Sequence, residues 1–344
     1  MKSIALRTGG AGFCLAAAIG LALLAQPSAP AQAQKFTMKI GTATPKGNQN
    51  VWMARFKERI EKRSKGAISV KLFPSSQLGT IPRTIEGLQL GTVEAWVGPP
   101  GFVKGVEPSY QVLDAPGLFD SLEHAQKAIS DPGFREAYLN SGMKKGIRGI
   151  SMYISGTVAV VSRARAIRKV ADYKGLKIRV LASDMEVEAM KRLGAAATPM
   201  PLLEVLPALQ RGAIDGVKSA LVIFVPFKYW TISKFLTESD EGVIPVAVFA
   251  SNSWLARLPK GLQKLVLDTG RELEDEMYRY SLKERQILRK VWVKKGGELI
   301  QLPPAERKLL MSKMATVGST VATADPRIKK VYDKLLAVVK KHRK

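Results

Sequence analysis

The sequence predicts an α/β fold with parallel sheets, helices covering them, and a chain divided into two lobes. Short apolar runs of strand character alternate along the chain with segments of helical periodicity. A chain of 344 residues is also longer than one hydrophobic core usually supports. Finally, the pattern after Pro259 predicts one helix of about 30 residues, well above the usual length, which can support both lobes.

The N-terminal segment is typical of a secretory signal peptide. Lys2 and Arg7 supply the positive start, and residues 11–25 form an apolar stretch too short to span a membrane. The run AQA at residues 31–33 is typical of a cleavage site, so we predict a signal over residues 1–33 and a periplasmic mature chain. We expect no stable membrane insertion of that mature chain.

The single cysteine lies inside the predicted signal. Cys14 is preceded by Phe13, whereas a lipid anchor requires a small residue before the cysteine, so we expect no lipid anchor. The mature chain then has no thiol and no disulfide, and burial alone must stabilise its fold.

The first elements follow in order from the apolar spacing. Residues 37–41 predict a strand, and Trp52, Phe56 and Ile60 recur every four residues, which predicts a helix over residues 50–62. The run SKG at residues 64–66 ends that helix. We predict strands at residues 68–72 and 93–97, with a helix over 81–90 between them.

The middle of the chain repeats this plan. The predicted strands are residues 147–154, 158–162, 176–180, 198–201 and 214–219. The predicted helices are a segment that starts at Ser183 or Asp184 and runs to Leu193, and residues 203–210, which Pro207 should shorten or kink. After the long helix, we expect a strand at residues 298–302 and helices over 304–314 and 326–341.

The strongly basic composition indicates which classes of partner the chain could bind. The 54 Lys and Arg against 29 Asp and Glu give a net charge of +25, which attracts anions and leaves a nucleic-acid or anionic-membrane partner open. However, the basic residues are spread along the chain except for the cluster KKHRK at 340–344, and no nucleic-acid motif is present. We therefore favour a solvated basic surface and expect no nucleic-acid partner.

The sequence offers little catalytic chemistry. The only histidines are His124, which we interpret as a capping or surface residue at a helix start, and His342 in the basic tail. No HExxH, GxSxG, P-loop or GxGxxG spacing is present. We expect no enzyme activity, no cofactor and no metal site, although a carboxylate and carbonyl site for a hard cation stays open.

Several ordered motifs carry a resemblance to a known family. They are SKGAISVKLFPSSQLG (64–79), IEGLQLGT (85–92), DYKGLKIRV (172–180), TPMP (198–201) and GAIDG (212–216). In sequence and spacing, they resemble the DctP-type substrate-binding proteins of tripartite ATP-independent periplasmic (TRAP) transporters. The resemblance covers nearly all of the predicted mature chain.

The resemblance implies a two-lobe periplasmic-binding-protein-like fold with a hinge and a long helix spanning both lobes. We expect one lobe from residues 34–155 with about 245–284, and the other from 156–244 with about 285–344. A small organic acid would be enclosed between the lobes and delivered to TRAP membrane permease subunits. A periplasmic ligand sensor of the same fold, feeding a signalling partner, is the alternative.

The resemblance makes Arg179 the leading ligand-binding candidate. Its guanidinium presents paired donors that match a carboxylate. Because Ile178 and Val180 flank it in a strand, its side chain should project to the opposite face from theirs. From the residues alone, a salt bridge at a strand end would be the favoured interpretation.

The sequence also departs from the family pattern around this arginine. The family commonly has a second arginine two residues after a glycine, whereas Val158 follows Gly156 here. The family run DGQEN is DGVKS here, so Ser219 replaces an asparagine and Lys218 a glutamate. Ser219 can still hydrogen-bond a ligand. Lys218 either replaces the missing cation or faces solvent, and we slightly favour solvent.

The other candidate ligand-binding residues are mostly small or apolar. The motif alignment places Ser155, Ala182, Leu202, Pro99 and Ala43 near the cleft, and Trp96 ends a strand where such clefts lie. For Phe224, Tyr229 and Trp230, the sequence leaves two interpretations open, namely that they wall the pocket or that they belong to the hydrophobic core. A pocket of this composition predicts a monocarboxylate with an apolar or aromatic body.

Overall fold

The computed structural model describes residues 35–343, so the predicted signal and Cys14 lie outside the described residues. In this range the strands are β1 (Phe36–Thr42), β2 (Ile68–Phe73), β3 (Ala95–Gly98), β4 (Ile147–Thr157), β5 (Ala159–Ser162), β6 (Lys177–Val180), β7 (Ala196–Pro199), β8 (Gly216–Ser219), β9 (Phe235–Glu238), β10 (Val243–Ser251) and β11 (Glu298–Gln301).

The helices cover the strands on both sides. They are α1 (Asn48–Arg63), α2 (Ile81–Leu90), α3 (Leu122–Ile129), α4 (Pro132–Asn140), α5 (Asp184–Arg192), α6 (Leu202–Gln210), α7 (Leu221–Phe224), α8 (Asn252–Arg257), α9 (Lys260–Lys294), α10 (Pro304–Met314), α11 (Val317–Thr323) and α12 (Pro326–His342). Short 3-10 segments at Pro100–Val103 and Pro108–Asp114 follow β3.

Two sheets define two lobes. The first lobe is built on the strand order β2-β1-β3-β10-β4, and the second on β11-β9-β5-β8-β6-β7. The chain passes between them where β4 leads into β5 and where β9 leads into β10. The architecture is therefore a mixed α/β fold of two lobes.

The 35-residue helix α9 packs against both lobes. It contacts β4 and α1 of the first lobe and β11 of the second. Val266, Leu273 and Met277 on one face are buried in the core of the first lobe. This helix confirms the prediction of one long helix that supports both lobes.

The sheets are mixed, so the expectation of purely parallel sheets is wrong. β10 runs antiparallel to both β3 and β4, because it brings the chain back from the second lobe and inserts between these two strands of the first sheet. Pro245 lies within it at a register shift, which is where a strand tolerates a residue without an N–H.

The packing of α12 and the burial of His124 differ from the expectations. α12 packs on α3, α4 and the segment Pro108–Asp114, so it lies on the first lobe and not on the second. His124 is buried rather than on the surface, and its Nε2 is 2.9 Å from the Val339 carbonyl of α12. Its Nδ1 accepts the Asp120 N–H at 3.1 Å just before α3, in agreement with the capping alternative.

Residues 35–343 contain neither a candidate membrane span nor a candidate metal cluster. None of the helices in this range has the length and apolar character that a membrane crossing requires. Nor does this range bring together three or more His, Cys, Asp or Glu side chains in a way that could hold a metal ion.

Candidate ligand-binding site

A cleft lies where strands of both sheets reach their carboxyl ends. Its walls come from the ends of β1 and β3 in the first lobe and of β6 and β8 in the second, the usual ligand position in α/β sheets. It encloses about 490 Å³ of space, including the part open to solvent. The lining residues are Ala43, Thr44, Gln49, Ile81, Trp96, Val97, Gly98, Pro99, Phe102, Arg179, Leu181, Leu202, Ser219, Val222, Ile223 and Ile244.

Arg179 is the only charged side chain among those lining residues. It lies in the centre of β6, whose neighbours Ile178 and Val180 point into the core of the second lobe. The alternation of side chains along a strand therefore directs the guanidinium to the opposite face, as predicted, and into the cleft. The arginine is only 2% exposed.

Main-chain carbonyls hold the guanidinium. Nε and Nη2 of Arg179 donate to the Met200 carbonyl at 3.0 and 2.8 Å, and Nη1 donates to the Lys218 carbonyl at 3.4 Å. A guanidinium has five N–H donors, so one donor on each terminal nitrogen is left over. A ligand carboxylate can accept hydrogen bonds from these remaining N–H groups.

No carboxylate in residues 35–343 forms an ion pair with Arg179. Burial lowers the pKa of Arg179 below its ordinary value, while Tyr229 and Glu186 nearby act in the opposite direction. Arginine nevertheless stays charged in proteins. A buried cation that meets only carbonyl dipoles is a strong attractor for an anion from outside.

Gln49 and Ser219 supply uncharged polar contacts in the cleft. Gln49 Oε1 accepts hydrogen bonds from the hydroxyls of Thr42 and Thr44, which leaves its amide nitrogen to donate toward the cleft. Ser219 ends β8 beside Arg179. These groups can hydrogen-bond a neutral polar atom of a ligand, but they supply no second charge.

The apolar part of the wall is large. Trp96 is buried and is the second residue of β3, so the expectation that it ends a strand is wrong, but it lines the cleft. Its ring stacks on that of Phe249, with 6.4 Å between the ring centroids. Phe102, Ile81 and Leu202 line the same space. Such a surface favours burial of an apolar or aromatic ligand body, at roughly 25 cal/mol per Å² of apolar area removed from water.

The two lobes meet at one side of the cleft. Gln111 and Asp184 form a reciprocal pair, in which the Asp184 N–H donates to Gln111 Oε1 at 2.7 Å and Gln111 Nε2 donates to Asp184 Oδ2 at 3.1 Å. Lys104 Nζ lies 2.5 Å from Asp184 Oδ1. These contacts join the segment after β3 to the first turn of α5.

The predicted site residues fall into two groups. The cleft brings together Arg179, Ser219, Trp96 and Leu202, with Ala43 and Pro99 beside them. The residues that do not line it are Ser155, Ala182, Val158, Lys218, Phe224, Tyr229 and Trp230. Ser155 instead accepts a hydrogen bond from Asn48 Nδ2 at 2.7 Å.

The interpretation of Lys218 as solvent-facing is wrong. The residue is 1% exposed, and its Nζ lies 3.1 Å from Glu186 Oε1 and 3.4 Å from Glu241 Oε1. Burial alone would lower the pKa of Lys218, but the two glutamates raise it above its ordinary value. The ammonium therefore belongs to a buried ion cluster of Lys218, Glu186 and Glu241.

A further carboxyl group borders this cluster from the first lobe. Burial, reinforced by the Glu186 carboxylate, raises the pKa of Asp114 to about 8. Asp114 ends the segment Pro108–Asp114. The protonated, uncharged form of Asp114 is therefore favoured at neutral pH, which reduces the negative charge beside Glu186.

The raised pKa of Asp114 predicts a pH dependence of stability. The folded state binds its proton more tightly than the unfolded chain, whose pKa is near 4, so this group's contribution to the free energy of unfolding falls as pH rises from about 4 to about 8. The substitution Asp114→Asn keeps the shape of the side chain but removes the carboxyl group that titrates. We expect urea unfolding at pH 5 and pH 8 to show a smaller loss of stability with rising pH in Asp114→Asn than in the wild type.

Asp333→Asn is the matched control, because Asp333 is exposed on α12 and pairs with Lys329. It should keep the wild-type pH dependence. An Asp114→Asn protein that loses as much stability between pH 5 and pH 8 as the wild type would contradict the assignment.

Sequence reasoning missed Gln49 and Thr44 in the first lobe and Phe102 after β3. No local pattern marks them, because the cleft is formed by loops that follow strands far apart in sequence. The rule that ligands bind beyond the carboxyl ends of strands would have pointed to Thr44, two residues after β1.

Comparison with known proteins gives one consistent result. Residues 38–323 match the family model DctP, described as bacterial extracellular solute-binding protein, family 7. The C4-dicarboxylate-binding periplasmic protein DctP of Rhodobacter capsulatus is 30% identical over 266 residues, which cover 74% of this chain and 76% of that protein.

Solved structures share the fold. A TRAP periplasmic solute-binding protein of Desulfovibrio salexigens with bound orotic acid is 27% identical, with a TM-score of 0.84 over 90% of this chain and 98% of that one. Another TRAP periplasmic solute-binding protein, from Shewanella oneidensis with bound succinate, is 25% identical, with a TM-score of 0.82 over 89% and 99% of the two chains.

Proposed function

The chain belongs to family 7 of the bacterial extracellular solute-binding proteins, the DctP family of TRAP transporters, and we propose that its ligand is a monocarboxylate with an apolar or aromatic body. Members of this family are substrate-binding transport proteins for organic acids and not enzymes. The periplasm is the proposed location, and delivery to TRAP membrane permease subunits is the proposed role.

The proposal depends on the guanidinium of Arg179. It is the sole positive group among the lining residues described above, and no protein carboxylate of residues 35–343 pairs with it. One bidentate site accepts one carboxylate. A second ligand carboxylate would be desolvated against the apolar wall without a cation, which is costly.

The departure from the family pattern supports the same conclusion. Val158, at the position where the family commonly has a second arginine, supplies no charge. The D. salexigens relative was solved with orotic acid, which is a monocarboxylate on a flat heteroaromatic ring. The apolar walls at Trp96, Phe102 and Leu202 match the chemistry of such a ring, and Gln49 could hydrogen-bond its polar edge.

Transport requires only that this protein binds its ligand with sufficient affinity and then releases it. The lobes contact each other through Asp184, which pairs with Lys104 and Gln111, and a ligand enclosed between the lobes would be screened from water. In this low-dielectric space, the attraction between Arg179 and a carboxylate is stronger than in solvent. Opening of the lobes would return both charges to water and release the ligand.

A thermal-shift panel tests the proposed ligand class. We expect orotate and benzoate to raise the melting temperature by several degrees, since a ligand at about 100 times its Kd stabilises the native state by about 2.7 kcal/mol. Succinate and galacturonate at the same concentration should give smaller shifts. Larger shifts with succinate or galacturonate than with every aromatic monocarboxylate would overturn the assignment to this class.

A further inference from the structure

A second cavity lies on the first lobe and shares no lining residue with the ligand cleft. It is bordered by α4, by the start of β4 and by the first half of α9, and its volume is about 720 Å³, including the part open to solvent. Its charged lining residues are three arginines and one glutamate, namely Arg135, Arg148, Arg271 and Glu136. The cavity therefore concentrates guanidinium groups from three different elements.

Close packing of the backbone fixes the walls of this cavity. β4 bulges at Ile150, which has no partner in the register with β10. A Cβ on Gly149 would lie 2.5 Å from Leu139 Cδ2 of α4, and a Cβ on Gly270 of α9 would lie 2.4 Å from the Ile150 carbonyl oxygen. The two helices approach β4 this closely only because both positions are glycine. Bulges of this kind are frequent next to active sites, where they redirect side chains.

Arg135 is held rigidly and is already neutralised. Its Nε lies 2.9 and 2.8 Å from the two carboxylate oxygens of Glu274, and its Nη2 lies 2.6 Å from Oε1 of that group. The buried Glu274 also accepts the Met152 N–H at 3.0 Å. Arg135 and Glu274 therefore form a fixed pair that contributes no net charge to the cavity.

Arg148 and Arg271 are the two cations that remain. Arg148 Nε donates to Asn140 Oδ1 at 3.1 Å, which leaves the four N–H groups on its terminal nitrogens. Arg271 is exposed and makes no hydrogen bond or ion pair to another residue of the range 35–343. Glu136 is also exposed, and in the described part of the chain it pairs with neither arginine. Two guanidiniums with unused donors against one carboxylate leave the cavity with an excess of positive charge.

We propose that Arg148 and Arg271 form a second anion site, which binds a tetrahedral oxyanion such as inorganic phosphate in this cavity. Guanidinium groups bind phosphate oxygens through short, charge-assisted hydrogen bonds. A tetrahedral oxyanion presents its oxygens in four directions, so it can accept hydrogen bonds from two arginines on different elements at once. The site does not depend on the proposed function, because neither arginine lines the cleft around Arg179.

Titration with inorganic phosphate in a buffer of low ionic strength tests this proposal. We expect phosphate to bind the wild type, and to bind Arg148→Gln/Arg271→Gln at least about tenfold more weakly because both free guanidiniums are lost. Arg211→Gln/Arg257→Gln is the matched control, since it removes two exposed arginines that line neither cavity. This control has the same net charge and should bind phosphate like the wild type.

Two further measurements locate the bound ion. Arg179→Ala should bind phosphate as the wild type does, since the cleft is not the proposed site. A wild-type crystal soaked in phosphate should show the ion about 3 Å from terminal nitrogens of both Arg148 and Arg271.

Absence of phosphate binding in the wild type, or its loss in Arg179→Ala, would overturn the proposal. Equal phosphate affinities of Arg148→Gln/Arg271→Gln and the charge-matched control would do the same. If the double variant fails to fold, Arg271→Ala decides the matter, because Arg271 is exposed and has no partner in residues 35–343 that its loss would leave unpaired. This variant should bind phosphate at least about threefold more weakly, and wild-type affinity would refute a site built on both arginines.

Discussion

Replacement of Arg179 by alanine is expected to weaken binding of the carboxylate ligand by about 10²- to 10³-fold, or about 3–4 kcal/mol. The size of this loss of affinity follows from the burial of the Arg179 guanidinium. The ligand's carboxylate would enter a cleft whose remaining described lining residues carry no charge, and it would lose all the donors of the guanidinium at once. Isothermal titration with the best ligand of the carboxylate panel measures the change.

Two variants control for side effects of that substitution. Arg211→Ala removes an exposed arginine that does not line the cleft, and it should bind like the wild type. Arg179→Lys keeps the charge but not the planar pair of donors, so its affinity should lie between those of the wild type and Arg179→Ala. Wild-type affinity in a folded Arg179→Ala protein would remove Arg179 from the site.

Replacement of Lys218 by methionine is expected to destabilise the protein by about 3–5 kcal/mol at neutral pH, the usual cost of removing one partner from a buried ion pair. Glu186 and Glu241 would then be buried without their cation. Urea unfolding of the variant and the wild type at pH 7 measures the difference in the free energy of unfolding.

The substitution Lys218→Met should also change how the free energy of unfolding depends on pH in the alkaline range. Because the pKa of Lys218 in the folded protein lies above its ordinary value of 10.5, its contribution to stability is complete below that value. The contribution is lost as pH rises through the raised pKa. Lys218→Met should lack this alkaline loss.

Lys308→Met is the matched control for Lys218→Met, since Lys308 is an exposed lysine on α10. Its effect should stay within about 0.5 kcal/mol. Additional replacement of both glutamates by glutamine should restore most of the stability lost in Lys218→Met. A Lys218→Met protein as stable as the wild type would show that the ammonium does not neutralise the cluster.

The elements that the sequence predicts best are those whose pattern is local. The helix at Ile81–Leu90 and the helix at Pro304–Met314 agree with their predicted bounds, because apolar spacing and flanking Gly or Pro define them. β10 was missed. It is buried along its whole length and contains Pro245, so it shows neither alternation nor the composition of an ordinary strand.

The orientation of Arg179 was predictable for the same local reason. Alternation with Ile178 and Val180 decides which face of β6 the side chain takes. The environment of Lys218 was not predictable, because its burial depends on two glutamates that are distant in the sequence and meet it only in the folded second lobe. A general preference of lysine for solvent cannot anticipate such partners.

A crystal structure with the tightest monocarboxylate of the panel would show directly what Arg179 binds. We expect the ligand's carboxylate at about 3 Å from both Nη1 and Nη2 of Arg179, with its apolar body against Trp96 and Leu202. A ligand bound elsewhere, with the Arg179 guanidinium on a protein carboxylate such as Glu186, would contradict it.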